Sequence, residues 1–439
     1  MPEVIHLTTL VAGVGQISVR KSVYGVIMNL LQSLYMSRSD DIPAEELLQL
    51  MKECTTPTKL KIFGLLRDTP SSEYGMVDHT SDKEYLDTLE DLTLLLAKIM
   101  ELASGSTGEH DSYINRGSHI TIGFAGLLNV WRARWMSLIT STAFQLSPAV
   151  QIRSFIAMGT LAVNDVDDDM LYQLLVALRN ALYKANESQT LPIVSMLRCL
   201  CKMVPALPQE SRYLVQLFWL AVALLQSSHV AFFNEATCLL RISLEKMETD
   251  RLFESASVHD TLLDGRRPLL DVTCQLDDML KLSFETSFSF PLAAIIFKGV
   301  RYSGLRDSAE ATLRSLLGVT IRSRPADQQY TTFSDALGYF LALLPLSASS
   351  VTYRQLLEEC QVEDAWLPQQ DTADDEEDNR APRVNVTLLG VTDTTKALLV
   401  TSFVGAMLMT AQGDDAETES LYTLLCDIAV TYPDIVALM

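Results

Sequence analysis

The sequence predicts an all-α fold, and three observations carry that expectation. Apolar residues recur at helical spacing in several windows. Glycine (19) and proline (15) are sparse among 439 residues, and few segments alternate like strands. An aliphatic-Arg pair also recurs at a nearly constant interval. The chain is 48% hydrophobic and 20% charged, enough to bury a large core. Its 55 acids against 34 bases leave a net charge of −21, which argues against a general binder of nucleic acid or of anionic membrane.

Residues 1–103 are expected to form N-terminal helical repeats, interrupted by a loop over 67–82 that is rich in Asp, Ser, Thr and Pro. Within them Tyr85, Leu89, Leu92, Leu96 and Ile99 make one stripe at spacings of three and four. Residues 104–126 hold five glycines with His110 and His119, and read as an irregular insertion. Codon strings permitted by Gly108-Glu109-His110 and Ala125-Gly126 would allow a splice donor and acceptor, so Gly108–Ala125 is read as a retained intron. A spliced message still encoding Tyr113-Ile114-Asn115 would sink that reading.

Residues 127–345 are expected to be a central block of repeats. Leu171, Leu174, Leu175, Leu178 and Leu182 form a second stripe, with Leu171, Leu174 and Leu178 as core. The most apolar run, Leu217 to Leu225, is nine residues long, far short of the roughly 20 that a bilayer span needs. It reads as a buried helix with Leu217, Phe218, Leu220 and Leu224 in the core. The repeat consists of Ile152-Arg153, Leu197-Arg198 and Leu240-Arg241, with arginines 45 and 43 residues apart, and related pairs at Val19-Arg20 and Leu313-Arg314. Such a period is that of HEAT and armadillo repeats, which predicts an α-solenoid wound as a right-handed superhelix. Pro148 fits the first turn of a helix that Ser147 can cap. Residues 346–392 read as an acidic flexible linker, with ten acids and no base between Glu358 and Asp378. A helical hairpin over 393–439 ends the chain.

Tests for chemistry fail one after another. The acids Asp165 and Asp167–Asp169 are followed by Met170 and Val176 where a calcium loop needs Gly and Glu, so they are assigned to a helix start. Cys199 and Cys201 lie on opposite sides of a helix and cannot share a metal. No zinc spacing, phosphate loop, dinucleotide fingerprint or nucleophile elbow occurs. Trp131, Arg132, Arg134 and Trp135 form a weak interaction candidate, a peptide stack or cation–π site. The competing reading packs both indoles inward and leaves the arginines in solvent. An odd count of seven cysteines without a disulfide framework, and an acid near the N-terminus, point to the cytoplasm.

Four strings taken together resemble a known family. They are Val19-Arg-Lys-Ser-Val-Tyr-Gly-Val-Ile-Met-Asn-Leu-Leu-Gln-Ser33, Phe144-Gln-Leu-Ser-Pro-Ala-Val-Gln-Ile-Arg153, Leu217-Phe-Trp-Leu-Ala-Val-Ala-Leu-Leu-Gln226, and Leu282-Ser-Phe-Glu-Thr-Ser-Phe-Ser-Phe290 followed by Lys298-Gly299. In this order they are similar to the carboxy-terminal HEAT-like region of neurofibromin-type Ras GTPase-activating proteins, with differences that resemble a fungal relative. The resemblance covers most of residues 1–345 and continues more weakly from about 393. It implies a non-catalytic scaffold arm that supports negative regulation of Ras by dimerising and by positioning a catalytic module. That module's Phe-Leu-Arg arginine-finger motif is absent here, as are the family's lipid-binding modules, so no enzyme activity and no cofactor are expected. The implied partners are a second copy of the chain, with Ras engaged only through the missing module, and neither nucleic acid nor an inserted membrane. The alternative is an independent HEAT adaptor, favoured if no Ras-GAP module lies upstream in the gene. The family's nuclear-import cluster is also missing, which argues against a nuclear role.

Overall fold

The computed structural model describes residues 1–37, 44–66, 82–104, 121–145, 147–162, 166–184, 190–209, 211–227, 229–267, 275, 277–278, 284–323, 335–347, 350–360, 391, 393–410 and 415–437. Among them all regular structure is helical. The chain folds as two compact units, Met1–Pro208 and Gln209–Met439. Their boundary falls inside the stretch 127–345 that reads in sequence as one block, because composition does not change there while packing does.

The first unit contains α1 (Pro2–Val11), α2 (Ile17–Met36), α3 (Ala44–Cys54), α4 (Pro57–Ile62), α5 (Asp82–Ala103), α6 (Thr121–Ala143), α7 (Pro148–Leu161), α8 (Asp168–Tyr183) and α9 (Thr190–Met203). Its centre is α7, buried continuously from Ile152 to Thr160 and packed on α1, α5, α6 and α9. The α7–α9 approach is close enough that a Cβ on Gly159 would lie 2.9 Å from the Cys199 Cα, so only glycine fits there. Pro148 occupies the first turn as expected, but the Ser147 hydroxyl makes no capping bond. The start of α8 is capped instead by Asp167, whose Oδ1 accepts from the Met170 N–H at 2.7 Å. Asp168 and Asp169 follow it in the first turn, where carboxylates are favoured. The stripe Tyr85, Leu89, Leu92, Leu96 and Ile99 is buried along α5.

The second unit contains α10 (Leu214–Leu225), α11 (Phe233–Thr249), α12 (Val258–Arg266), α13 (Phe284–Ser287), α14 (Ser289–Val300), α15 (Arg306–Arg322), α16 (Leu337–Leu343), α17 (Ser350–Glu359), α18 (Thr394–Thr410), α19 (Asp415–Thr431) and α20 (Pro433–Val436). Helix α11 packs between α10 and α15, and α14 against α15 and α16. Every residue of α16 is buried. The last hairpin joins this core. Arg301 Nη2 donates to the Met407 carbonyl at 2.6 Å, and the Phe290 and Phe403 rings meet edge-on at 5.8 Å.

Three boundaries differ from the sequence reading. Residues 121–126 belong to α6 rather than to an irregular insertion, and Gly123 and Gly126 are tolerated inside it. Helix α17 lies within the stretch read as linker, anchored by buried Leu356 and Leu357 and followed by buried Cys360. All but the last residue of the expected loop (67–81), most of the expected intron (108–120) and the acidic run within 361–390 lie outside the described residues.

Candidate functional site

The repeat arginines do not share one environment. Arg20 and Arg153 are buried in the first unit, and each donates to the carbonyl at the end of another helix. Arg20 Nη1 reaches the Ile62 carbonyl at 3.2 Å, at the end of α4. Arg153 Nε reaches the Ala12 carbonyl at 2.6 Å, at the end of α1. Arg153 also donates to the Ala149 carbonyl and to the Tyr85 hydroxyl. Helix C-termini present unpaired carbonyls with partial negative charge, so a guanidinium fork is well matched to them. Gly13 follows Ala12 with φ +73°, which turns the chain so that the carbonyl faces Arg153.

Among the described residues neither buried guanidinium meets a carboxylate; carbonyls and the Tyr85 phenol hold the charge instead. Burial depresses Arg153 and raises the Tyr85 phenol from their ordinary values, while each moves the other toward its ionised form. By contrast Arg198, Arg241 and Arg314 are half-buried and pair with carboxylates. Their partners are Asp87 at 2.5 Å, Glu245 at 3.2 Å, and both Glu310 and Glu359, at 3.0 and 2.8 Å.

The tryptophan candidate on α6 is divided. Trp135 is fully buried and its Nε1 has no hydrogen-bond partner among the described residues, while Trp131 is half-buried. Arg132 and Arg134 are exposed, and Arg134 Nε donates to Glu3 at 3.0 Å, holding that carboxyl below its usual range. The four side chains therefore form no common binding stack. Of the core candidates, Leu171, Leu174, Leu178, Leu217, Phe218 and Leu224 are buried, whereas Leu220 is half-buried. Gln216 and Ala223 are exposed on the same helix, so α10 is not enclosed on all sides.

Two features had no signal in the sequence. In the second unit Arg266 lies 4.4 Å from the Trp219 ring and 4.9 Å from that of Phe284. It forms a forked pair with Asp277 at 2.6 and 2.7 Å, and Trp219 Nε1 donates to the Leu262 carbonyl at 2.8 Å. In the first unit a cleft of about 550 Å³ is lined by residues of α3, α4 and α5. No group of three or more His, Cys, Asp or Glu among the described residues is placed to hold a metal ion. No described helix is long and apolar enough to cross a membrane. What the arrangement offers is fixed joints between helices.

No family model matches the chain. Two proteins of Saccharomyces cerevisiae are similar to it. Inhibitory regulator protein IRA1 is 22% identical over 382 residues, which is 85% of this chain and 11% of that protein. Inhibitory regulator protein IRA2 is 20% identical over 368 residues, 81% of this chain and 11% of the relative. The chain thus matches a small part of each relative. A match of 382 residues exceeds the length of either compact unit, so the similarity runs through both.

Proposed function

We propose that this chain is a non-catalytic helical-repeat arm of a larger inhibitory regulator of the neurofibromin type. On this reading it acts by placing surfaces and by pairing with a second copy, while a catalytic module elsewhere engages Ras. The similarity to IRA1 across 85% of the chain is the observation that carries the reading, joined by the order of the four neurofibromin-like strings. The HEAT-type solenoid belongs to the same proposal and is supported by packing between successive helices, α6 on α7 and α10 on α11.

The test is a Ras GTP-hydrolysis assay with the isolated chain, beside its mass by sedimentation equilibrium. No stimulation of hydrolysis and a concentration-dependent dimer are expected. Stimulated hydrolysis would overturn the non-catalytic part. A strict monomer at every concentration would overturn the pairing part.

A further inference from the structure

Two helices, one in each unit, turn an apolar stripe to solvent. Helix α8 buries Leu171, Leu174 and Leu178 and exposes Tyr172, Arg179 and Tyr183 on another face, with Val176 half-buried among them. Their spacing of i, i+4, i+7, i+11 makes one continuous helical face about 16 Å long. Helix α19 buries Leu421, Leu424 and Ile428 and exposes Glu419, Tyr422, Cys426 and Val430 on its opposite side, a face of the same length. Tyr183 is 92% exposed and Val430 85%, so neither packs on a neighbouring helix. Tyrosine and arginine are residues that protein interfaces favour over ordinary surface.

The charges beside the two stripes are opposite. From Tyr172 to Lys184 the charged residues are Arg179 and Lys184; from Thr418 to Val430 they are Glu419 and Asp427. Arg179, Lys184 and Glu419 are exposed, and none of the three has an ion pair among the described residues. One chain therefore carries both halves of a complementary pair, an aromatic cationic face and an apolar anionic one. We propose that α8 of one copy docks antiparallel on α19 of a second copy, and that two-fold symmetry makes this contact twice. The antiparallel sense sets Lys184 beside Glu419 and Tyr172 beside Val430, and it opposes the two helix dipoles. It also keeps the acids that open α8 away from Glu419. This contact rests on the pairing proposed above and gives it a surface.

The test is sedimentation equilibrium on the full chain and on charge-reversed variants. Arg179→Glu with Lys184→Glu, and separately Glu419→Lys, should each weaken self-association at least about tenfold. Mixed in equal amounts, the two variants should pair about as tightly as the parent, because every contact then joins opposite charges. On the unaltered chain, alkylation of Cys426 should slow as the concentration rises through the dimer transition. A parent dimer that either variant leaves intact, or a mixture no tighter than its parts, overturns the contact and leaves pairing to another face. A parent that stays monomeric at every concentration overturns the contact together with the pairing. Should a variant lose helicity, Cys426 on the unaltered chain decides alone, and undiminished alkylation in the dimer sinks the contact.

Discussion

The Tyr85 hydroxyl accepts a hydrogen bond from the guanidinium of Arg153, and both side chains are buried between α5 and α7. The same guanidinium holds the Ala12 carbonyl, so one residue joins α1, α5 and α7. Truncating it would take the side-chain donor away from the Ala12 carbonyl and leave a cavity. We expect Arg153→Ala to cost about 3–5 kcal/mol and Tyr85→Phe about 1 kcal/mol. Arg153→Lys should recover little, because an ammonium lacks the fork that serves three acceptors. Urea denaturation of the three variants checks this; a Lys variant as stable as the parent would refute the geometric account.

The buried Arg266–Asp277 pair makes a second expectation. Asp277→Ala strands a cation between Trp219 and Phe284, at a cost of about 3–5 kcal/mol. Replacing both partners, as Arg266→Met with Asp277→Leu, should cost markedly less. The double-mutant comparison reads the coupling directly, and additive losses would argue against it.

Arg251 closes α11 with φ +63°. The Leu252 N–H donates to the Met247 carbonyl and the Arg251 N–H to that of Glu248, both at 3.0 Å. This is the Schellman arrangement, which favours glycine at the left-handed position. Arg251→Gly should therefore stabilise the second unit by about 0.5–1 kcal/mol, seen as a higher urea midpoint at unchanged slope. A lower midpoint would show that the Arg251–Glu254 pair outweighs the strain relieved.

Two histidines predict an acid-side loss of stability. Burial lowers His6 in the first unit and His259 in the second from the ordinary value near 6.5. His6 Nε2 has only Thr142 Oγ1 at 3.5 Å, and His259 stacks on Phe288 at 4.4 Å while Asp335 and Asp260 partly offset its burial. As pH falls below about 6.5 the unfolded chain takes up protons before the folded one, so stability is complete above that value and declines below it. Hydrogen exchange of α1 and α12 should quicken relative to expectation between about pH 6.5 and pH 5.5. In His6→Gln the change at α1 should vanish while that at α12 persists.

Much of this fold is legible because burial follows period. The stripe from Tyr85 to Ile99 and the leucines 171, 174 and 178 point inward as their spacing requires, and Asp167 takes the helix end that its position allows. Helix α17 has little signal because Pro345 and several serines precede it and acids follow it, and its buried apolar residues among those described are Leu356 and Leu357, with Cys360 just beyond its end. The joints were less visible still. Arg153 and Arg198 occupy equivalent places in a repeated string, yet one meets carbonyls and the other a carboxylate. The difference comes from residues 141 and 111 positions away. The cage around Arg266 likewise depends on Trp219, 47 positions earlier, with no local pattern to mark it.

The carbonyl latches made by Arg20, Arg153 and Arg301 have a consequence for how this chain can change over time. The receiving half of each latch is main chain, so it survives nearly any replacement at positions 12, 62 and 407 that keeps the local helix end. Only the arginine is fixed by the contact. Wiring helices through donors of one kind, onto acceptors that carry no identity of their own, lets most of the text be rewritten while the joints stay closed.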